Sequence, residues 1–168
     1  CYISATDALT KFHSKDLSPV ELTKALINRC KEVNPQLNAI TESYFDEALT
    51  RAKTAEKKYM KVKSSRVKPL EGVPIAIKDF HSIKGKRTTY GSKAYENHIA
   101  DNTAPTVERL LKAGANLFFR TTTPEFAHSG LTRSPLWGVT NNPWNIHKTP
   151  GGSSGGAGAA IAAGMTTL

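Results

Sequence analysis

Two places in the sequence hold residues whose types and setting could do chemistry. The first is Lys78, which follows directly on a short apolar run, Gly72-Val73-Pro74-Ile75-Ala76-Ile77. A lysine at the end of a buried strand that turns into a loop can be drawn into a desolvated pocket, where the charged form is disfavoured and the pKa falls. A neutral lysine is a competent general base. Alone this is a weak signal, because most lysines after a strand point into water.

The second place is Thr149-Pro150-Gly151-Gly152-Ser153-Ser154-Gly155-Gly156. A flexible Gly/Ser linker would continue as polar chain. This segment passes instead into the alanine-rich run from Ala157 to Leu168, which reads as a closely packed helix. The glycines then form a tight turn feeding that helix, and their access to positive φ and to close backbone approach lets a serine hydroxyl be held in a fixed, unusual geometry. A phosphate-binding loop would need a lysine after its last glycine, where Ala157 stands. The dinucleotide fingerprint lacks its register. Gly151-Gly152-Ser153-Ser154-Gly155 also spells the G-x-S-x-G elbow of serine hydrolases, which would pair Ser153 with a histidine. Nothing in the placement of His13, His81, His98, His128 and His147 singles one out.

The elements that must position these residues follow from periodicity. Ser18-Pro19-Val20-Glu21 is a capping box with proline at the first helical position, and Leu22, Ala25, Leu26 and Val33 continue it, so a helix is expected from Pro19 to Val33. Phe45, Ala48, Leu49, Ala52, Ala55 and Tyr59 predict a second helix with a charged outer face. Residues 61–68 read as a basic loop. Gly72 to Ile77 is a buried strand, Pro105 to Ala113 a helix closed by Gly114, and Ala115 to Phe119 a second buried strand. Strand, helix, strand in that order indicates an α/β layer architecture. Phe118, Phe119, Trp137 and Trp144 read as core or turn-packing residues.

Composition bounds the reading. The 168 residues are 39% hydrophobic, enough for one domain with a core. Cys1 and Cys30 make neither a disulfide framework nor a metal motif, so a reducing, cytoplasmic setting is expected with no metal and no cofactor. No apolar run approaches the roughly 20 residues of a membrane span. Both ends read as cut edges, since the first residue is Cys1 and the last run has no closing turn. The net charge of +9 is carried by residues 51–93, which hold thirteen Lys or Arg against three Asp or Glu. Without interleaved aromatics, a zinc pattern or a groove-reading helix, that stretch reads as a solvated face, and nucleic acid is not an expected partner.

Taken together, the segments resemble the amidase signature family. Gly72 to Asp79 is similar to its catalytic-lysine strand, and Thr88-Thr89-Tyr90-Gly91-Ser92 to its T-x-x-G-S. Thr121 to Phe126, Gly138 to Trp144, and the Pro150 to Gly156 signature follow in family order. The resemblance implies the N-terminal portion of a three-layer α/β/α fold with a mixed central sheet. It divides residues 1–168 into a helical layer, 1–65, and the start of the α/β core, 66–168. It further implies a Ser–cis-Ser–Lys triad without metal or cofactor, in which Lys78 is the base and Ser153 the bridging serine, preceded by a cis peptide. Gly151, Gly152, Ser154 and Gly155 support the signature turn. Ala127 and His128 fall where family members line the substrate pocket, and for His128 a solvated loop position is an equal expectation. The nucleophile of the family lies in a D-x-G-G-S segment, which extrapolation puts just beyond Leu168, so residues 1–168 alone are expected to have no turnover.

The resemblance implies a small-molecule amide as substrate. A glutaminase-type subunit of a tRNA-dependent amidotransferase is the main alternative. Those subunits carry a T-N-x-D-E-F-A-M-G-like segment, where this chain has Pro124 for the aspartate and His128 for the methionine. A non-catalytic nucleic-acid-binding module is the third reading.

Overall fold

A computed structural model describes residues 1–61 and 67–168. The loop expected over residues 61–68, for its part within 62–66, and the division at 65/66 lie outside the described residues. The order of elements is α1 (Ala5–Ser14), α2 (Pro19–Leu37), β1 (Ile40–Ser43), α3 (Phe45–Lys61), β2 (Pro74–Lys78), α4 (Pro105–Lys112), β3 (Asn116–Thr121), β4 (Arg133–Ser134), β5 (Gly138–Val139) and α5 (Gly155–Ala162).

The expected helices form for the expected reasons. Val20 N donates to the Ser18 hydroxyl while Ser18 N donates to Glu21, closing the capping box of α2. The helix outruns its expected end at Val33: Pro35 lies within it, and Asn38 closes it in the left-handed conformation. The Asn34 side chain then accepts from Ala39 N and Ile40 N, which satisfies the next two amides. α1 was not anticipated, although Ser4 caps it by accepting from Asp7 N, and it buries Ala8 and Phe12.

The main sheet runs β1-β3-β2, with β1 antiparallel and β2 parallel to β3, so it is mixed. Every residue of β3 is buried, which requires cover on both faces. Asn116 and Phe118 meet α3: the Asn116 amide donates to Ala48 O, and the Phe118 ring lies 4.9 Å from that of Phe45. α5 packs against β2 and β3.

Two expectations are corrected. The helix expected from Ala157 to Leu168 spans only Gly155–Ala162, because Gly164 takes a positive φ beneath the Tyr2 ring and breaks it. The chain then turns back along β2, where Ala76 N donates to Leu168 O at 2.9 Å. That helix is also buried on one side only, with Ile161 exposed. Trp144 is no core residue, since 86% of it is exposed.

Candidate active site

Lys78 is the last residue of β2, and parallel pairing with Thr121 fixes where it leaves the sheet. Its ammonium donates to Ser153 Oγ at 2.7 Å and to Ser154 Oγ at 3.1 Å. The Phe80 ring centroid lies 5.7 Å from Nζ. Lys78 is half-buried rather than enclosed, and this burial holds its pKa below the ordinary lysine value by disfavouring the charged form. The side chain bonded to Ser153 Oγ is thus a lysine and not one of the histidines.

Ser153 follows a cis peptide bond from Gly152. Its carbonyl accepts a bond from Thr123 Oγ1 at 3.3 Å. The turn is held at both shoulders by one side chain: Thr132 Oγ1 donates to Gly151 O at 2.8 Å and accepts from Gly155 N at 3.0 Å.

Of the two roles expected of the glycines, positive φ and close backbone approach, the second is the commoner. Only Gly151 of the four uses a positive φ. Gly152, Gly155 and Gly156 are demanded by space. A Cβ on Gly152 would meet Ser129 O and Gly130 C at 2.7 Å, and one on Gly155 would lie 2.2 Å from Thr132 Oγ1.

Ala127 is the last residue of a single turn of 3-10 helix, Glu125–Ala127, and His128 opens the loop after it. Ala127 is half-buried with a positive φ, whereas His128 is exposed. The next two residues of that loop, Ser129 and Gly130, are the backbone that touches Gly152. Lys78, Ser153, Ser154 and the turn glycines therefore converge, and Ala127 and His128 stand one step removed.

Beneath Lys78 is a buried ion pair that the sequence reading passed over. Arg120 and Asp79 lie 3.3 Å apart with side chains 0% and 2% exposed. Arg120 also donates to the carbonyls of Lys78 and His81. Asp79 accepts from Thr89 N at 3.0 Å and from the Thr89 hydroxyl. A charged residue inside an apolar strand was the available signal for Arg120. For Thr132, a lone threonine in a loop, there was none.

Among the described residues no group of three or more His, Cys, Asp or Glu is placed to hold a metal, and no helix is long and apolar enough to cross a membrane.

The Amidase family model matches residues 21–168. An indoleacetamide hydrolase of Bradyrhizobium diazoefficiens is 42% identical over 98% of this chain and 31% of its own. A glutamyl-tRNA(Gln) amidotransferase subunit of Caldanaerobacter subterraneus subsp. tengcongensis is 40% identical over 90% of this chain and 30% of its own. A solved bacterial aryl acylamidase of the amidase signature enzymes superposes with a TM-score of 0.89 at 30% identity, over 98% of this chain and 34% of that one. The chain spans about a third of the length of the curated relatives it matches.

Proposed function

This chain belongs to the amidase signature family, and from that premise we propose that it supplies the lysine and the bridging serine of a Ser–cis-Ser–Lys triad that hydrolyses a carboxylic amide. The observation that carries the proposal is the 2.7 Å contact between Lys78 Nζ and Ser153 Oγ. An amine whose pKa is pushed down by burial, bonded to a hydroxyl, is one end of a proton relay.

In the whole enzyme, Lys78 in its neutral form takes the Ser153 proton as Ser153 takes that of the attacking serine, which we assign to a D-x-G-G-S segment outside residues 1–168. The serine oxygen bonds the amide carbon. The relay then returns a proton to the leaving nitrogen as the C–N bond breaks. Water, deprotonated through the same pair, releases the acid from the acyl-enzyme. Ser154, within reach of the same ammonium, helps hold it on Ser153. Ala127 and His128 border the substrate, which is a small-molecule amide.

A fluorophosphonate probe that labels the nucleophilic serine of the full-length enzyme tests this directly. Labelling lost in Lys78→Ala and in Ser153→Ala is the expected result. Labelling at the wild-type rate in Lys78→Ala would refute the relay.

A glutaminase-type amidotransferase subunit is the second reading, favoured by the 40% identity to one such protein. Pro124 and His128, standing in place of an aspartate and a methionine, weigh against it. Release of ammonia from glutamine that depends on tRNA and on partner subunits would select it. The nucleic-acid reading is weakened by ion pairs that the basic segment's cations already make: Arg51 and Lys86 both meet Glu47, Lys58 meets Glu71, and Arg87 meets Glu42.

A further inference from the structure

We propose that Arg120 is the positioning residue for Lys78, fixing the main chain at the end of β2 so that the amine reaches Ser153, with Asp79 as the counter-charge that holds Arg120 in place. The inference rests on the reading of Lys78 as the base. Arg120 Nη2 donates to the Lys78 carbonyl at 3.2 Å, to the His81 carbonyl at 2.9 Å and to Asp79 Oδ1 at 3.3 Å. Nη1 reaches Arg87 O at 3.4 Å. One planar fork thus ties the strand end to both sides of the turn that follows, an arrangement an ammonium does not reproduce.

The turn is closed on the same pair from its other side. His81 N donates to Lys78 O at 3.1 Å, Tyr90 N donates to Asp79 O at 3.1 Å, and Asp79 N donates to Thr121 O at 2.9 Å. Trp137 Nε1 bonds the Thr89 hydroxyl that bonds Asp79, so the carboxylate is anchored through a second layer. This much buried polar structure, next to a residue that is itself half-exposed, is far more than a strand end requires.

Burial alone lowers the Lys78 pKa while the pair is intact, as two opposite charges that cancel would leave it. From β1 and the residue after it come Glu42 and Tyr44, bonded to each other, with Lys86 4.3 Å over the Tyr44 ring and Arg87 at 3.6 Å from Glu42. From the turn comes His81, whose pKa is held down by burial and by the neighbouring cations Lys78 and Arg120. The glycine turn contributes hydroxyls only, and α5 carries no ionisable side chain. Arg120 and Asp79 are the buried charges adjoining Lys78, and as long as both stand they largely cancel. Removing one leaves the other uncompensated, and the two removals have opposite signs. An arginine without its carboxylate disfavours a second cation, so Lys78 loses its proton at lower pH. A carboxylate without its arginine favours the ammonium, so Lys78 loses its proton at higher pH. Burial raises the Asp79 pKa, and the two donors from Thr89, which remain when Arg120 is removed, oppose that rise and hold the carboxylate.

The test follows the rate of fluorophosphonate labelling against pH in the full-length enzyme, with thermal unfolding to check each variant's fold. Asp79→Asn is expected to move the rising limb down, and Arg120→Met to move it up, each by about one pH unit, equal to roughly tenfold in rate on the limb. Arg120→Lys keeps the charge and loses the fork, so its limb stays near wild type while its plateau rate falls about tenfold. Limbs that stay put, or shift in the same direction, in folded variants would overturn the inference, as would an undiminished plateau in Arg120→Lys. If Arg120→Met does not fold, the direction of the Asp79→Asn shift decides alone. Lys78→Ala separates the layers: labelled normally, it removes the base reading and this inference with it; inert beside unshifted variants, it leaves the base reading standing and removes only the inference.

Discussion

Gly156 lies against Thr122 with no room between them: a Cβ on Gly156 would fall 2.3 Å from Thr122 Oγ1 and 2.6 Å from the Thr122 backbone N and O. The first turn of α5 is thereby seated on the segment that leaves β3, and the signature turn with Ser153 is seated with it. Gly156→Ala is expected to destabilise the protein by about 1–3 kcal/mol through overpacking. Gly158, two residues on in the same helix, has nothing within 4 Å of an added Cβ. Gly158→Ala is accordingly expected to be neutral or slightly stabilising, by up to about 1 kcal/mol. Thermal midpoints of the two variants compare the sites directly.

The pH dependence of Lys78 has a definite sign. A base acts in its deprotonated form, so with Lys78 as the proposed base, activity of the full-length enzyme is expected to rise with pH through the Lys78 pKa. Burial lowers that pKa from 10.5, which brings the rising limb to a more acidic pH than an ordinary lysine would give. A kcat/KM profile checks this, and a midpoint at or above 10.5 would contradict it.

Thr132 grips the signature turn through one oxygen that both donates and accepts. Thr132→Val preserves shape but leaves Gly155 N without its Thr132 partner and Gly151 O with only the 3.5 Å bond from Thr149 Oγ1, a loss of about 1–3 kcal/mol. Thr132→Ser keeps both bonds and is expected to restore most of the stability. Equal unfolding midpoints for the valine variant and wild type would show that the grip contributes nothing.

The Cys30 thiol is buried, with its pKa pushed up to about 12. Its thiolate, the reactive form, is scarce at pH 8. Alkylation mapped by mass spectrometry is expected to find the exposed Cys1 modified in the native chain, and Cys30 modified only after unfolding. Rapid native labelling of Cys30 would show that α2 opens against the segment carrying Met165, whose carbonyl is the Cys30 partner.

What was legible in the sequence was whatever had a period or a fixed order. The capping box at Ser18 and Glu21 marks the start of α2 to the residue, and the apolar runs before Lys78 and across Phe118 and Phe119 mark the two parallel strands. β1 was not legible: Ile-Thr-Glu-Ser has no pattern, and it becomes a strand by pairing with β3. The Lys78–Ser153 contact joins residues 75 apart, a proximity that only motif order suggested. Arg120 escaped because an apolar run conceals a charge that is neutralised from another strand end. The glycine turn was legible because glycine allows two things, and the structure divides them: Gly151 takes the left-handed backbone, while Gly152, Gly155 and Gly156 serve close approach.

The return of the chain along β2 gives the strand that carries the lysine a second anchor. β2 is the outer strand of the order β1-β3-β2, hydrogen-bonded to β3 along one edge, and on its other edge Ala76 N is taken by Leu168 O. To slip by one residue it would have to release its pairing with β3 and the bond to Leu168 together, and it would then aim Lys78 at the opposite face of the sheet. The amine's address is therefore enforced by the ladder of the sheet, well before any side chain is asked to hold it.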